Sequence, residues 1–177
     1  MSFDAQPRLA GQGFTLTPLV EADRAGLTRA ASDPEIWAMH PAKTRCKPQV
    51  FSPYFDMLLA SASTLTVRDD ATGDIIGCSR YYTAPDQPGT ISIGFTFLTR
   101  PYWGGAANRM VKGLMLTHAF MHYPEVWFHI DPNNLRSQRA TLKLGAEHAY
   151  DATLDLGGGG GPWKVYKLTQ QGWKDTQ

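Results

Sequence analysis

Polar and apolar residues alternate along several short segments of this chain, which is the pattern of half-buried β-strands. Strands are predicted on this basis at residues 14–19, 64–68, 75–82, 90–98, 148–154 and 163–168, and a dense apolar run predicts a buried strand at 126–130. Turn-forming sequences at 70–74 and 85–89 separate the strands in the middle of the chain. Three successive antiparallel strands are therefore predicted between residues 64 and 98.

Apolar residues recur at helical spacing in the segments between these strands. Helices are predicted at 21–31, 51–59, 106–123 and 134–144, with a further helix start at 32–35. Pro124 ends the long helix, and Gly145 caps the C-terminus of the last one. The second half of the chain is thus predicted as strand, helix, strand and helix, and the whole chain as a mixed α+β fold.

Composition limits the partners and the setting that the chain can have. Its 177 residues fit one domain spanning 1–177, with 42% hydrophobic and 19% charged residues. The formal net charge is +1, whereas proteins that bind nucleic acid non-specifically carry a clear basic excess. No apolar run approaches the roughly 18 residues of a membrane span. The near-neutral charge and the lack of such a run predict neither a nucleic-acid nor a membrane partner. Two cysteines, Cys46 and Cys78, without CxxC spacing predict a reduced cytoplasmic setting.

The most informative turn joins the strand at 90–98 to the helix at 106–123. Its small residues, at positions 104–107, let a ligand approach the main chain closely. The first turn of the helix that follows has unpaired N–H groups and the positive end of the helix dipole. These features predict a binding site for an anion of pyrophosphate size. Neither a Walker P-loop nor the GxGxxG motif of dinucleotide folds is present.

Several motifs in the order in which they occur resemble one family. They are Ser32-Asp33-Pro34-Glu35-Ile36-Trp37, Asp74-Ile75-Ile76-Gly77, Ile93-Gly94-Phe95-Thr96-Phe97-Leu98, Tyr102-Trp103-Gly104, Asn134-Leu135-Arg136-Ser137 and Leu144-Gly145-Ala146. Together they resemble the GNAT superfamily of N-acetyltransferases, and within it the RimJ/RimL-like branch of ribosomal-protein N-terminal acetyltransferases. The resemblance implies a three-layer α+β fold, with a mixed, mostly antiparallel twisted sheet of about seven strands, about four flanking helices, and splayed fourth and fifth strands.

The resemblance also implies acetyl-coenzyme A as cosubstrate and no metal. Main-chain groups of Phe97, Leu98 and Thr99 are expected to bind the pantetheine arm in the gap between the splayed strands. The pyrophosphate is expected to accept hydrogen bonds from the main-chain N–H groups of Gly104, Gly105, Ala106, Ala107, Asn108 and Arg109. Trp103 is expected to shape the cofactor channel beside this loop. Arg139 is a candidate for the 3′-phosphate of coenzyme A, although such a helix face is often only solvated.

The implied chemistry is direct attack of a primary amine on the thioester in a ternary complex. By resemblance, Asn134 hydrogen-bonds pantetheine through its side-chain amide. Ser137 lies one helical turn further on the same face and is expected to donate a proton to the departing sulfur or to keep it hydrogen-bonded. The acceptor is a protein N-terminus, which needs an open groove, or a small-molecule amine, which needs a closed acidic pocket. The active form is a monomer or a homodimer.

Some positions depart from the family pattern and leave alternatives open. Ala106 replaces a loop glycine, Thr141 stands where many relatives carry a tyrosine acid, and Ser92 stands where an acidic residue is common. No general base can be named, with Glu35 and His40 as weak candidates. A non-catalytic acyl-coenzyme A sensor is therefore the first alternative. The second is a metal-dependent hydrolase that uses two residues at i and i+4 spacing, His118 and His122. The glycine run at 157–161 is expected to form a mobile hairpin loop.

Overall fold

The computed structural model describes residues 2–177 and contains eight strands and five α-helices within that range. The strands are β1 Leu9–Gly11, β2 Phe14–Pro18, β3 Thr64–Asp69, β4 Ile75–Tyr82, β5 Ile91–Leu98, β6 Glu125–Ile130, β7 Glu147–Asp155 and β8 Gly160–Thr169. The helices are α1 Arg24–Ala30, α2 Pro48–Ala60, α3 Ala107–Ala119, α4 Leu135–Lys143 and α5 Gln170–Lys174. None of these helices is long and apolar enough to cross a lipid bilayer.

All eight strands form one sheet in the order β1-β2-β3-β4-β5-β6-β8-β7. Every neighbouring pair is antiparallel except β5 and β6, which are parallel. These two strands pair only at Ile91 with Val126 and at Ser92 with Trp127. Beyond these residues they separate, which confirms the predicted splay and leaves two strand edges facing an open gap.

A bulge in β5 accompanies this separation. The register between β4 and β5 shifts after Cys78, and Phe95 adopts a left-handed φ of 53°. Gly77 allows β4 to stay close to β5 beyond the bulge, because a Cβ atom there would lie 1.9 Å from the carbonyl oxygen of Phe97. Glycine at this position therefore permits the far end of β5 to stay paired with β4 while β5 turns away from β6.

Two apolar clusters cover the faces of the sheet and make the fold three-layered, as predicted. On one face α1 and α2 contribute Leu27, Phe51 and Phe55. On the other face α3 contributes Val111, Met115 and Leu116. Phe97 of β5 packs into the first cluster and Ile93 into the second, so the splayed strand borders both layers.

The structure differs from the sequence prediction mainly in short elements. Strand β1 and helix α5 were not predicted, because three and five residues give too little periodicity to detect. The segment after Ser32 forms only a short 3-10 helix, Pro34–Trp37, which Asp33 caps by accepting a hydrogen bond from the N–H of Glu35. Gly145 adopts a left-handed φ of 95° directly after α4, as expected for a C-terminal cap.

Candidate active site

A cleft of about 670 Å³ occupies the gap between β5 and β6 and continues onto both faces of the sheet. At one end, the loop end, it is lined by Trp103, Gly104 and Asn108. At the other, the aromatic end, it is lined by Trp37, Arg45, Tyr54 and the glycine run 157–161. The middle is formed by β5, by the end of β6 and by the start of α4. The cleft brings together these predicted site residues: Phe97, Leu98, Trp103, Gly104, Asn108, Asn134 and Ser137.

The loop end has an unsatisfied run of main-chain donors. Within residues 2–177, the first N–H after the loop that bonds to another main-chain group is that of Met110, donated to the carbonyl of Ala106. The six N–H groups from Gly104 to Arg109 have no protein acceptor in that range, and Ala106 provides no side-chain cap. Gly104 has a left-handed φ of 71°, which turns the chain into the helix. This arrangement suits an anion with several oxygens.

The main chain of β5 offers fewer groups to the gap than the sequence suggests. The N–H of Thr99 donates to the carbonyl of Ile76 at 2.8 Å, so Thr99 faces β4 and not the gap. Because main-chain groups alternate in direction along a strand, Phe97 also faces β4, while Thr96 and Leu98 face the gap. The carbonyl of Leu98 accepts from the indole Nε1 of Trp103 at 2.7 Å. Free groups for a ligand in the gap are therefore expected mainly at Thr96 and at the N–H of Leu98.

The start of α4 lies on the opposite side of the gap. Asn134 is the N-cap of this helix, and its Oδ1 accepts from the N–H of Ser137 at 3.2 Å. The amide nitrogen of Asn134 remains available to donate to a ligand carbonyl. The Ser137 hydroxyl lines the same cleft, and the buried Thr141 lies one turn further along α4. The predicted pair thus faces the gap from one helix terminus.

The remaining predicted residues lie outside the cleft lining. Arg109 donates to the carbonyl oxygens of Lys143 and Thr176, which ties α3 to α4 and to the C-terminal segment. Arg139 is exposed on α4 and does not line the cleft. Gly105, Ala106 and Ala107 flank its loop end, and their main-chain N–H groups are among the unpaired donors described above.

The candidate bases named from the sequence are not well placed. Glu35 is exposed and does not line the cleft. His40 lines it, but burial lowers its pKa to about 4, and its Nδ1 accepts from the N–H of Ala42 at 3.0 Å. Ser92 lies on β5 where that strand still pairs with β6, outside the lining. The glycine run 157–161 does line the cleft, and Asp155 accepts hydrogen bonds from the N–H groups of Gly157 and Gly159 in its turn.

A buried lysine in the cleft was missed by the sequence analysis. Lys112 of α3 is only 6% exposed, and its Nζ donates to Thr96 Oγ1 at 2.6 Å and to Ser79 Oγ at 3.2 Å. Within residues 2–177 it forms no ion pair with a carboxylate. Burial lowers its pKa to about 7. Its position on the apolar stripe of α3, beside Met115 and Leu116, is the sequence signal that could have identified it.

A chain of hydrogen bonds connects the cleft with the rim of the sheet. His129 of β6 bonds through Nδ1 to the hydroxyl of Tyr82 at 2.9 Å and through Nε2 to Asp86 at 3.2 Å. Asp86 also accepts from the hydroxyl of Tyr150 at 2.5 Å. Burial lowers the pKa of His129, and the carboxylate of Asp86 opposes this effect. Tyr82 and His129 line the cleft, so the hydrogen-bonded chain links a titratable histidine in the cleft to Asp86.

The two histidines proposed for a metal have structural contacts instead. The Nε2 of His118 bonds to the carbonyl oxygen of Asp4 at 2.7 Å, and both histidine rings pack around Phe3. No group of three potential metal ligands occurs anywhere in the part of the chain that the structure describes. The helix spacing of the two histidines is therefore explained by anchoring of the N-terminal segment.

The sequence matches a known protein family. The family model of the acetyltransferase (GNAT) domain matches residues 14–147, which include β2 to β6 and the whole of α4. The chain belongs to the GNAT acetyltransferase family. It is therefore an acyltransferase of a family that uses acetyl-coenzyme A and acts on amines. No curated protein is significantly similar to it in sequence.

Solved GNAT structures share the fold at low sequence identity. A GCN5-related N-acetyltransferase from Brucella melitensis superposes with a TM-score of 0.81 at 17% identity, covering 96% of this chain and 81% of that chain. RimJ from Mycobacterium smegmatis, in complex with CoA-disulfide, gives 0.68 at 15% identity over 93% and 87% of the two chains. The aminoglycoside acetyltransferase AAC(6')-Ib, in complex with coenzyme A, gives 0.67 at 22% identity over 92% and 98%.

Proposed function

We propose that this GNAT protein transfers the acetyl group of acetyl-coenzyme A to a primary amine in a ternary complex, without a covalent enzyme intermediate. The observation that carries the proposal is the continuity of one cleft. It joins the free N–H groups at 104–109 to the open edges of β5 and β6 and then to the aromatic end. A diphosphate, an amide-containing arm and an acceptor can thus be bound in sequence along a single path.

Each part of this path has a proposed role. The N–H groups at 104–109 bind the pyrophosphate, while the amide of Asn134 and the free main-chain groups of β5 bind the pantetheine arm. Main-chain N–H on β5 also stabilises the negative charge that develops on the carbonyl oxygen during attack. Ser137 donates a proton to the departing sulfur. Arg139, exposed on α4, is left as the candidate for the 3′-phosphate.

We also propose that residues 1–177 form one acetyltransferase domain of the RimJ/RimL-like branch that acts in the cytoplasm as a monomer or homodimer. The branch motifs in the sequence and the free thiols of Cys46 and Cys78 support this assignment. Light scattering during size-exclusion chromatography measures the mass, and a mass above that of a dimer would contradict the last point. Limited proteolysis that released a second stable fragment would contradict the single domain.

Calorimetric titration with acetyl-coenzyme A, beside a thiol-release assay over a panel of amines and peptides, tests the central proposal. We expect binding at about micromolar strength, because diphosphate and pantetheine together make many hydrogen bonds, and we expect amine-dependent thiol release. Absence of binding would overturn the proposed function. Binding without release from any amine would instead support the sensor alternative.

Replacing Asp86 by asparagine is expected to lower kcat about tenfold, because His129 and Tyr82 are proposed to accept the proton that the amine loses. The carboxylate of Asp86 raises the pKa of His129 against the effect of burial. Its removal should therefore move the acidic limb of the kcat/KM profile to lower pH while reducing the plateau. Steady-state kinetics between about pH 5 and 9 measure both effects.

The matched control is Asp151, whose carboxylate bonds to the exposed His148 at 2.7 Å on the surface. Asp151→Asn should leave both the plateau and the limb unchanged. A profile of Asp86→Asn that keeps the position of the wild-type limb would show that His129 is not the proton acceptor.

A further inference from the structure

The aromatic end of the cleft is cationic and nearly free of acidic groups. Arg45 lines it half-buried, with its guanidinium 3.7 Å from the ring centroid of Tyr54 and 5.1 Å from that of Trp37. The nearby Arg80 donates to Ser63 Oγ and stacks on Phe95 at 4.7 Å. Neither arginine forms an ion pair within residues 2–177.

Three arginines that do not line the cleft, Arg24, Arg68 and Arg100, are paired with carboxylates. Arg24 contacts Glu21 and Asp56, and Arg68 contacts the buried Asp23. Burial lowers the pKa of both Arg45 and Arg80, so their surroundings disfavour the unpaired charge. An unpaired, partly desolvated guanidinium in an open cleft is stabilised when a ligand supplies an anion with two oxygens.

The lining contains one carboxylate, that of Asp131 at the end of β6. One of its oxygens already accepts from the N–H of Asn133 at 2.8 Å. The closed acidic pocket that a free polycationic acceptor requires is therefore not built here. A polyamine or an aminoglycoside would place several ammonium groups beside Arg45, and like charges at close range disfavour binding.

We propose that the acceptor is a primary amine that also carries a carboxylate, and that Arg45 binds this carboxylate at the aromatic end of the cleft. The proposal rests on the proposed acetyl transfer and names its substrate class. Arg45 forms two parallel hydrogen bonds to the carboxylate, and stacking on Tyr54 fixes the plane of the guanidinium. The amine of the same molecule then points towards the gap between β5 and β6.

Matched acceptors test this recognition directly. Thiol release is measured with leucine, leucinamide and isoamylamine, with the corresponding phenylalanine series, and with spermidine as a polycation. We expect kcat/KM to be about 30-fold or more higher for an amino acid than for its amide, since an unpaired buried charge lowers affinity by this order. Two peptide comparisons test whether the recognised carboxylate belongs to a peptide. One compares peptides that end in a carboxylate with peptides that end in an amide, and the other compares an acidic with a neutral second residue. A preference for spermidine or for the amides would overturn the proposal.

Variants of Arg45 connect the preference to this residue. Arg45→Gln should lower kcat/KM for the preferred carboxylated acceptor about 30- to 300-fold, mainly through KM, and less than about threefold for its amide. For the carboxylated acceptor, the kcat/KM of Arg45→Lys should fall between those of the wild type and Arg45→Gln, because lysine keeps the charge and loses the bidentate geometry. The exposed Arg8→Gln serves as control and should match the wild type. Equal losses for the carboxylated acceptor and its amide would overturn the role of Arg45.

A binding measurement separates this proposal from the proposed activity. Calorimetric titration of the protein with leucine and leucinamide, with and without coenzyme A, detects the carboxylate site without turnover. We expect binding of leucine that Arg45→Gln weakens and no measurable binding of leucinamide. If acetyl-coenzyme A binds and amines are acetylated but no carboxylated probe binds, the substrate class is wrong and the acetyltransferase activity stands. If the carboxylated probe binds but acetyl-coenzyme A does not, the activity is wrong and the anion site stands.

Discussion

Replacing Lys112 by methionine is expected to raise the free energy of unfolding at pH 7 by about 2–4 kcal/mol, because the wild-type protein buries an amine that no carboxylate neutralises. Methionine fills similar space beside Phe128. The two hydroxyls that Lys112 contacts can still bond to each other, since Ser79 Oγ and Thr96 Oγ1 already lie 2.7 Å apart. Thermal unfolding at pH 7 measures the effect, which corresponds to a rise in Tm of about 2–4 °C for each kcal/mol in a protein of this size.

The pH dependence of this difference has a defined sign. The pKa of Lys112 is lowered by burial from 10.5 to about 7, so between these values the unfolded chain binds one more proton than the folded chain. The free energy of unfolding of the wild type therefore rises relative to the variant by about 1.4 kcal/mol per pH unit in this window. The advantage of Lys112→Met should be largest at and below pH 7 and should disappear towards pH 10.

An exposed lysine is the control. Lys174→Met on α5 should change the unfolding temperature little at any pH, because the side chain is solvated in both states. A Lys112→Met protein that unfolds at a lower temperature than the wild type across pH 7–10 would show that the contacts of the amine contribute more than its burial costs. Stability gained together with lost turnover would indicate that Lys112 is retained for activity.

Replacing Ser137 by alanine is expected to lower kcat about 100-fold and to leave the Kd for acetyl-coenzyme A within about threefold of the wild type. The hydroxyl is proposed to act on the sulfur only as it departs, so kcat and kcat/KM should fall by the same factor. The Asn134 cap depends on the N–H of Ser137 and not on its hydroxyl, so α4 should begin at the same residue in the variant. Steady-state kinetics beside calorimetric titration measure the two quantities.

The exposed Ser32 gives a matched serine-to-alanine control with no expected effect on turnover. Unchanged turnover in Ser137→Ala would remove the proposed proton donor. A wild-type protein that binds acetyl-coenzyme A and acetylates no amine would leave nothing for the substitution to reduce, and the sensor would then be the better description.

Most of the fold could be predicted from the sequence, because its long elements have clear periodicity. Strands β3, β4 and β5 were predicted within about two residues, and the turns between them contain the glycines and prolines that turns require. The bulge at Phe95 could not be predicted, because a left-handed φ at phenylalanine contradicts local preference and is maintained only by the surrounding sheet. The glycine run was predicted as a loop, yet Gly160 and Gly161 pair with β7 as part of β8.

The site was predictable where it is local and not where it depends on distant contacts. The loop at 104–109 and the pair Asn134 and Ser137 each lie within a few residues of a helix start, so their sequence suffices. Asp86 and His129 are 43 positions apart in the chain and meet only through the order of the strands. Arg45 gave no signal either, because an unpaired arginine is recognisable only once the positions of all carboxylates are known.

The narrow junction between β5 and β6 has a mechanical consequence. Within the sheet, only two residue pairs join strands β1 to β5 to the second part formed by β6, β8 and β7. A pantetheine arm that forms hydrogen bonds with both facing edges would connect the two parts of the sheet, with ligand bonds in place of the missing strand-to-strand bonds. In the proposed function the bound acyl donor therefore joins the two parts of the sheet where strand pairing is absent, and its binding stabilises the folded protein.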